Sequence, residues 1–505
     1  MSTLVKFFLF VTLPLGMAWL PATSPPGARS TGLGSSIVST RMNQTPVVSA
    51  GPDSALTLPE TASLTGVVSD DGEPLPVEVS WSLLSGPADV AFADPGLART
   101  TATFSMPGTY ILELTATDSE HVSSDPTTFV VHAPELGPIV RVPQDRATIQ
   151  DAIDAAKDGD TVLVSPGRYD ETLVLAGKTI TLASQFLTTG DSSLIERTIL
   201  DGGGSTVIEV RDSVGPATRI IGFTIRNGDD GISARARLRI ENNRFVGNKD
   251  AIDYERGGGV CRGNLFESNS DDGIDLDGPT AAIIEHNIIR GNRDDGIEIR
   301  LHPYEGPTLD IKIRHNVISG NGEDGIQIID YPDRSDRVLV IERNHIEANA
   351  MAGLGLMDNG RTKEDYRAAS VVESILLVHN TFLDNDHGVT GGDNLVALNN
   401  LFAGSARIAL KGADGASIAA HNLFWNNGTD VHQSHVVEKT NVFSDPMLDA
   451  RGRPRNGSPA IDAGAVSFER SGARLLQANE GAFSGTGPDL GAVETNFTAG
   501  APSRR

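Results

Sequence analysis

Between Asn243 and Asn422 the chain alternates short apolar runs with polar turns, and both fall on one recurring phrase. An Asn is followed two positions later by Phe or Ile: Asn243 and Phe245, Asn264 and Phe266, Asn287 and Ile289, Asn316 and Ile318, Asn344 and Ile346, Asn380 and Phe382, Asn400 and Phe402, Asn422 and Phe424. A second Asn stands five positions after the first (Asn248, Asn269, Asn292, Asn321, Asn349, Asn385, Asn427), with Ser405 in its place once. Three copies go on to Asp/Glu-Asp-Gly-Ile, beginning at Asp271, Asp294 and Glu323. Units of roughly 20–30 residues with a period-two apolar pattern and fixed turn residues describe a solenoid. The runs are rich in Ile, Val, Leu and Phe and lack a helical period, so each unit is predicted to be one coil of a parallel β-helix.

Successive coils would stack like positions about 4.8 Å apart. The Phe/Ile column is then expected inside, with each Asn bonding to the turns above and below it. The glycines of the third motif (Gly273, Gly296, Gly325) suit bends that need positive φ, where a Cβ is costly.

Outside the repeats the pattern changes. Residues 1–22 carry Lys6, an apolar stretch from Phe7 to Leu20, and then small residues, as a secretory signal does. Residues 23–45 are rich in Ser, Gly, Pro and Thr, a linker composition. From 46 to 133 short β-type runs such as Val77–Trp81 and Thr109–Thr117 alternate with turn residues, predicting a small antiparallel sandwich with Trp81 in its core. The segment Pro107-Gly108-Thr109-Tyr110 through Asp118 resembles the closing strands of PKD-like, immunoglobulin-type modules. That resemblance implies a spacer or sugar-contacting module without catalytic residues.

The solenoid is expected over 138–495. Thr148 and Asp151 form a capping pattern, and Ile149, Ala152, Ile153 and Ala156 share one helical face, so a short helix should cover the first coil. Gly457–Gly464 and Gly487–Glu494 break the repeat and are expected to form a terminal cap. The fold class is thus all-β, a β-helix preceded by an immunoglobulin-like sandwich.

Charge narrows the partners. Against 41 Lys and Arg stand 66 Asp and Glu, a formal net charge of -25, which opposes nucleic acid. It would also repel a polyuronate unless cations intervene. Cys261 is the single cysteine, so no internal disulfide forms. Apart from the leader no stretch is apolar enough to span a bilayer. The expected product is a secreted or cell-surface monomer with no transmembrane anchor.

Residues from Thr148 to Leu175 and the Asn repeats resemble pectin-lyase-fold proteins, the right-handed parallel β-helices that include polysaccharide lyases, epimerases and polygalacturonases. Ser458-Pro-Ala-Ile-Asp-Ala-Gly464 and Asp489-Leu-Gly-Ala-Val-Glu494 resemble the endings of exported bacterial β-helix proteins. The resemblance implies an extracellular polysaccharide as partner. The catalytic motifs of pectinesterases, polygalacturonases and mannuronan epimerases are absent from the sequence, so no single reaction is implied.

Two outward columns carry charge. Glu241, Arg262, Glu285, Arg314 and Glu342 alternate in sign, as cross-strand ion pairs do. His286, His315, His379 and His421 recur at one turn and are read as stacked turn residues rather than metal ligands. The other column is acidic: Asp253, Asp275, Glu298 and Gln327, with Asp277 and Arg300 two positions on. Carboxylates one coil apart raise one another's pKa, and such a column persists if Ca²⁺ bridges it or a proton is shared. Asp253, Asp275, Asp277, Glu298 and Arg300 are therefore the candidate catalytic residues. Asp271, Asp272, Asp294 and Asp295 are candidate Ca²⁺ ligands, with solvated Asp-Gly turns as the alternative.

The longest insertions (300–309, 329–336, 357–369) all leave after this strand and bring His302, Tyr304, Tyr331, Arg334, Arg361, Lys363 and Tyr366 beside it. Two functions fit. One is an enzyme cleaving or modifying a polysaccharide: a hydrolase using Asp275 and Glu298 with Asp277 assisting, or a Ca²⁺-dependent lyase with Arg300 or Lys312 as base. The other is a non-catalytic binding rod.

Overall fold

The computed structural model describes residues 43–495, apart from 59, 72–76, 334, 368, 471, 479–482 and 484. The expected signal, most of the linker, and Arg334 lie outside the described residues. Among the described residues, no helix is long and apolar enough to cross a membrane.

Residues 47–132 form a β-sandwich. Its larger sheet runs Ser54–Thr57, Val122–His132, Gly108–Thr117, Glu78–Ser85, and a smaller one runs Ala62–Thr65, Arg99–Phe104, Val90–Phe92. Trp81 is buried in its core as expected, its indole N–H donating to Ala98 O at 3.0 Å.

From Ile139 to Phe443 each coil gives one strand to each of three parallel sheets of 12, 12 and 11 strands. The helix Ile149–Ala155 closes the first coil, capped by the Thr148 side chain, which accepts from Asp151 N, and it buries Ile149, Ala152 and Ile153. Phe245, Phe266, Ile289, Ile318, Ile346, Phe382, Phe402 and Phe424 are in register on the second sheet and fully interior. Neighbouring rings stack, at 4.9 Å between Phe245 and Phe266.

Both Asn columns are buried ladders. Asn287 Nδ2 donates to Cys261 O at 3.0 Å and to Asn316 Oδ1 at 3.1 Å, and Asn316 Oδ1 also accepts Asn287 N at 2.9 Å. Each bend thereby satisfies main-chain groups that no strand can reach.

The bends correct one expectation. Gly273, Gly296 and Gly325 do not have positive φ; they are glycine because a Cβ on Gly273 or Gly296 would lie 2.6 or 2.5 Å from the next coil's carbonyl oxygen. The left-handed residue is instead the one before each Asn, such as His286 (φ 54°), Ser268 (φ 56°) and Gly291 (φ 60°). The turn histidines sit in that position. His286 and His315 stack with centroids 5.0 Å apart, and buried His379 bonds to Asp489 O and Asn399, so they act as turn residues. The column Glu241, Arg262, Glu285, Arg314, Glu342 is in register; within it Glu285 pairs with Arg262 and Arg314, the latter's Nε at 2.8 Å, while Glu241 pairs with Arg219 and Arg239.

Ala460 and Leu490 pack with Leu401 and Leu423 on the outer face of the second sheet. Gly491 N bonds to Asn399 O, and Arg451 reaches the sandwich residue Asp94 at 2.6 Å.

Candidate functional site

The outer face of the third sheet holds the acidic column. Asp253, Asp275, Glu298 and Gln327 are register partners on consecutive coils, each flanked by inward-facing Ile, Leu or Tyr residues that fix its outward direction. Asp275 and Glu298 are only 7% and 5% exposed, because the inserted loops wall the sheet on both sides.

Arg300 gathers the cluster. Its Nη1 lies 3.4 Å from Asp275 and 3.5 Å from Asp277, and its Nη2 is in close ion-pair contact with Glu298. One guanidinium thus faces three carboxylates. Asp275 Oδ1 and Asp253 Oδ1 are buried without a hydrogen-bond partner. Burial, the largest influence, outweighs Arg300 and pushes Asp275 up to about 8. Burial and then the Asp275 charge push Glu298 up to about 8. Burial and the surrounding acidic groups push Asp253 up to about 7. These carboxyls therefore exchange protons near neutrality, the range in which general acids and bases work. Four of the five expected catalytic residues (Asp275, Asp277, Glu298, Arg300) meet here, and Asp253 lies one coil away.

Beside the cluster, His302 Nε2 is 3.4 Å from Asp277 and stacks on Tyr331, their centroids 4.5 Å apart. On the other side the 357–369 loop folds back, Gln327 Nε2 donating to Glu364 at 2.5 Å and Tyr366 bonding to Asp324. Lys312 does not join the site. It faces outward from the first sheet, in register with Ile283 and Val340.

The four expected Ca²⁺ ligands divide into two pairs. Asp271 and Asp294 are partly exposed turn residues. Asp272 and Asp295 belong to a buried ladder with Asp250 and Asp324: each carboxylate accepts the main-chain N–H of the next coil, at 3.1 Å (Asp250 to Asp272), 2.8 Å (Asp272 to Asp295) and 2.7 Å (Asp295 to Asp324). Among the described residues, two groupings place carboxylate oxygens within 4.8 Å of one another: Asp272 with Asp275 and Glu298, and Asp295 with Glu323 and Glu364. The first combines one expected metal ligand with two expected catalytic residues. Glu323 is read from the sequence only as the start of a repeat turn, and Glu364 is not read as a site residue at all; it arrives from a loop whose path no repeat encodes.

Comparison with known proteins bears on the class. A family profile described as "Right handed beta helix region" matches residues 206–402, and a PKD-domain profile matches residues 50–131. The chain is a right-handed parallel β-helix protein with an N-terminal PKD-like module. Among solved structures, pectate lyase Pel9A is 15% identical, with a TM-score of 0.49, over 72% of this chain and 97% of its own. The A-module of the Azotobacter vinelandii mannuronan C-5 epimerase AlgE6 is 16% identical, with a TM-score of 0.39, over 62% of this chain and 96% of its own. An α-1,3-glucanase catalytic unit from Streptomyces thermodiastaticus is 15% identical, with a TM-score of 0.36, over 73% of this chain and 85% of its own.

Proposed function

We propose that this chain is an exported polysaccharide-active enzyme, and that its groove on the third sheet cleaves glycosidic bonds by acid–base catalysis. The observation that carries this reading is the excess of buried carboxylates over the Arg300 guanidinium they share. Protons must occupy some of those carboxyls near neutral pH.

Both carboxyls of the pair are raised to about 8, and the closer guanidinium contact makes Glu298 the one that gives up its proton first. Asp275, whose Oδ1 has no partner, holds the proton and donates it to the leaving oxygen. Asp277 and His302 orient the guanidinium side of the site. Carboxyls on adjacent rungs stand about 4.8 Å apart, close to the ~5–5.5 Å of retaining glycosidases. Arg300 is gripped by three carboxylates that hold its proton firmly, so it is a poor base for a lyase.

The test is turnover on a panel of extracellular glycans by the mature chain, beside Asp275→Asn and Glu298→Gln. Loss of cleavage in both variants with retained glycan binding supports the reading; unchanged cleavage rejects the assignment.

A second reading has its own observation: the oxygens of Asp272, Asp275 and Glu298 suit a Ca²⁺ ion. Bound there, Ca²⁺ would supply the charge that neutralises a substrate carboxylate. A melting midpoint that rises with Ca²⁺, falls with chelator, and loses the response in Asp275→Ala selects this reading.

A further inference from the structure

Where the inserted loops leave the third sheet there is a second recess, separate from the Asp275–Glu298 cluster. It has a volume of about 820 Å³ and opens between Tyr331, Asp358 and Asn359. Its floor holds Asp330 and Glu373, each 5% exposed. Nothing in the mechanism above uses them.

The two acids come from different parts of the chain. Asp330 ends the strand Ile326–Asp330, one coil beyond Leu301, and Glu373 precedes the strand Ser374–Val378. Burial first, then the Glu373 carboxylate, pushes Asp330 up to about 7, and burial likewise raises Glu373. Glu373 Oε2 has no hydrogen-bond partner.

The described cations around the recess are already engaged. Arg337 donates Nη1 to His302 O at 2.8 Å and Nη2 to Gly278 O at 2.5 Å, which turns its guanidinium into a brace for two loops. Arg361 is held by Asp358 and Asp365. The recess lining sets five carboxyls (Asp330, Asp333, Asp336, Asp358, Glu373) against the Arg337 guanidinium, whose charge acts on Glu373 and Asp330, so the balance is negative and favours a cation. Its volume far exceeds a metal coordination sphere. Its walls are those of a sugar site: the Tyr331 ring beside the hydroxyls of Thr308, Ser370 and Ser374. Tyr331 also stacks on His302, so the recess is continuous with the groove.

We propose that this recess binds a cationic amino-sugar unit of the glycan, its ammonium seated between Asp330 and Glu373 and its ring against Tyr331. The inference rests on the groove being a polysaccharide site and narrows the substrate to polymers with free amino groups. An ammonium donates three hydrogen bonds and takes over the charge that a proton otherwise supplies. A uronate unit would bring a carboxylate against two more.

The test is calorimetric titration of the mature chain with a glucosamine hexamer, its N-acetylated counterpart, an oligogalacturonate, and Ca²⁺ alone. We expect the free-amine hexamer to bind at least tenfold more tightly than the acetylated one. That preference should vanish in Asp330→Asn/Glu373→Gln and persist in Asp275→Asn. Should the double variant melt early, Tyr331→Ala provides the second measure, with weaker binding expected for the hexamer. Equal binding of the two hexamers, preference for the oligogalacturonate, no binding of the free-amine hexamer, or Ca²⁺ binding that depends on Asp330 and Glu373 would each overturn the proposal. Cleavage of a neutral glycan that is lost in Glu298→Gln would uphold the groove reading whatever this recess binds, so the two can fail separately.

Discussion

Asp272 accepts the main-chain N–H of Asp295, one coil on, at 2.8 Å, and this contact repeats along the solenoid as a ladder of buried acids. It parallels the Asn ladders, with one difference. An Asn is neutral at every pH, whereas a buried Asp is at ease only when protonated.

That difference predicts a pH-dependent stability. Burial, with the Asp324 and Asp272 charges, pushes Asp295 well above its ordinary value. A raised folded pKa means that its contribution is fully present below the unfolded value near 4 and is lost as pH rises toward the folded value. Asp295→Asn keeps the acceptor and removes the ionisation. We expect the variant to melt higher than the parent at pH 8, by at least about 1 kcal/mol of stability, and to match it near pH 4. An equal shift at both pH values would show that the ladder's charge is not what costs stability.

The Asn ladder yields the opposite substitution effect. Asn316 is buried, donates to Ile284 O at 2.9 Å and accepts from Asn287 N at 2.9 Å. In Asn316→Leu both main-chain groups lose their partner in a dry interior. Each orphan costs about 1–3 kcal/mol, so a loss of roughly 3 kcal/mol is expected in urea unfolding. A loss under about 0.5 kcal/mol would mean that water or a neighbouring coil replaces the amide.

These ladders also explain what could be read in advance. The Asn phrase and the Phe/Ile stack were legible because they keep a constant offset, and the column Asp253–Asp275–Glu298–Gln327 because each member follows the Ala-Ile or Gly-Ile step of its coil; parallel register turns such recurrence into spatial columns. The aspartate pairs were harder. Asp271 and Asp272 are adjacent in a turn, and only Asp272 is buried there, beside Asp275 and Glu298. A signal existed, since Asp272, Asp295 and Asp324 each immediately precede the close-packed glycine, but its meaning depends on knowing that glycine's contact. Lys312 misled because residues after an insertion rejoin a different sheet. Glu364 and Glu373, which belong to loop 357–373, follow no repeat at all.

The groove carries a direct catalytic prediction. Asp275→Asn and Glu298→Gln preserve shape and hydrogen-bonding capacity while removing proton transfer, so kcat should fall by roughly 10²–10⁴ with binding kept. Asp253→Asn, two rungs away from Arg300, should cost much less. A full loss at Asp253 with activity intact at Asp275 would move the reacting bond one coil toward the N-terminus.

The final prediction joins Arg300 to the pH profile. Asp275 must be protonated to act as acid, and its proton leaves near pH 8, so the rate should fall as pH rises through about 8. Arg300 pulls that value down, as it does for Glu298. In Arg300→Met the carboxyls lose the cation they share and hold their protons more tightly, which moves the alkaline limb to higher pH. The same variant should be slower at neutral pH, because Glu298, already raised to about 8, then ionises still less often and serves less as the ionised partner. A kcat profile of the two proteins measures both effects. If the limb stays where it was, the titrating group is not in contact with Arg300, and the acid must be sought elsewhere in the groove.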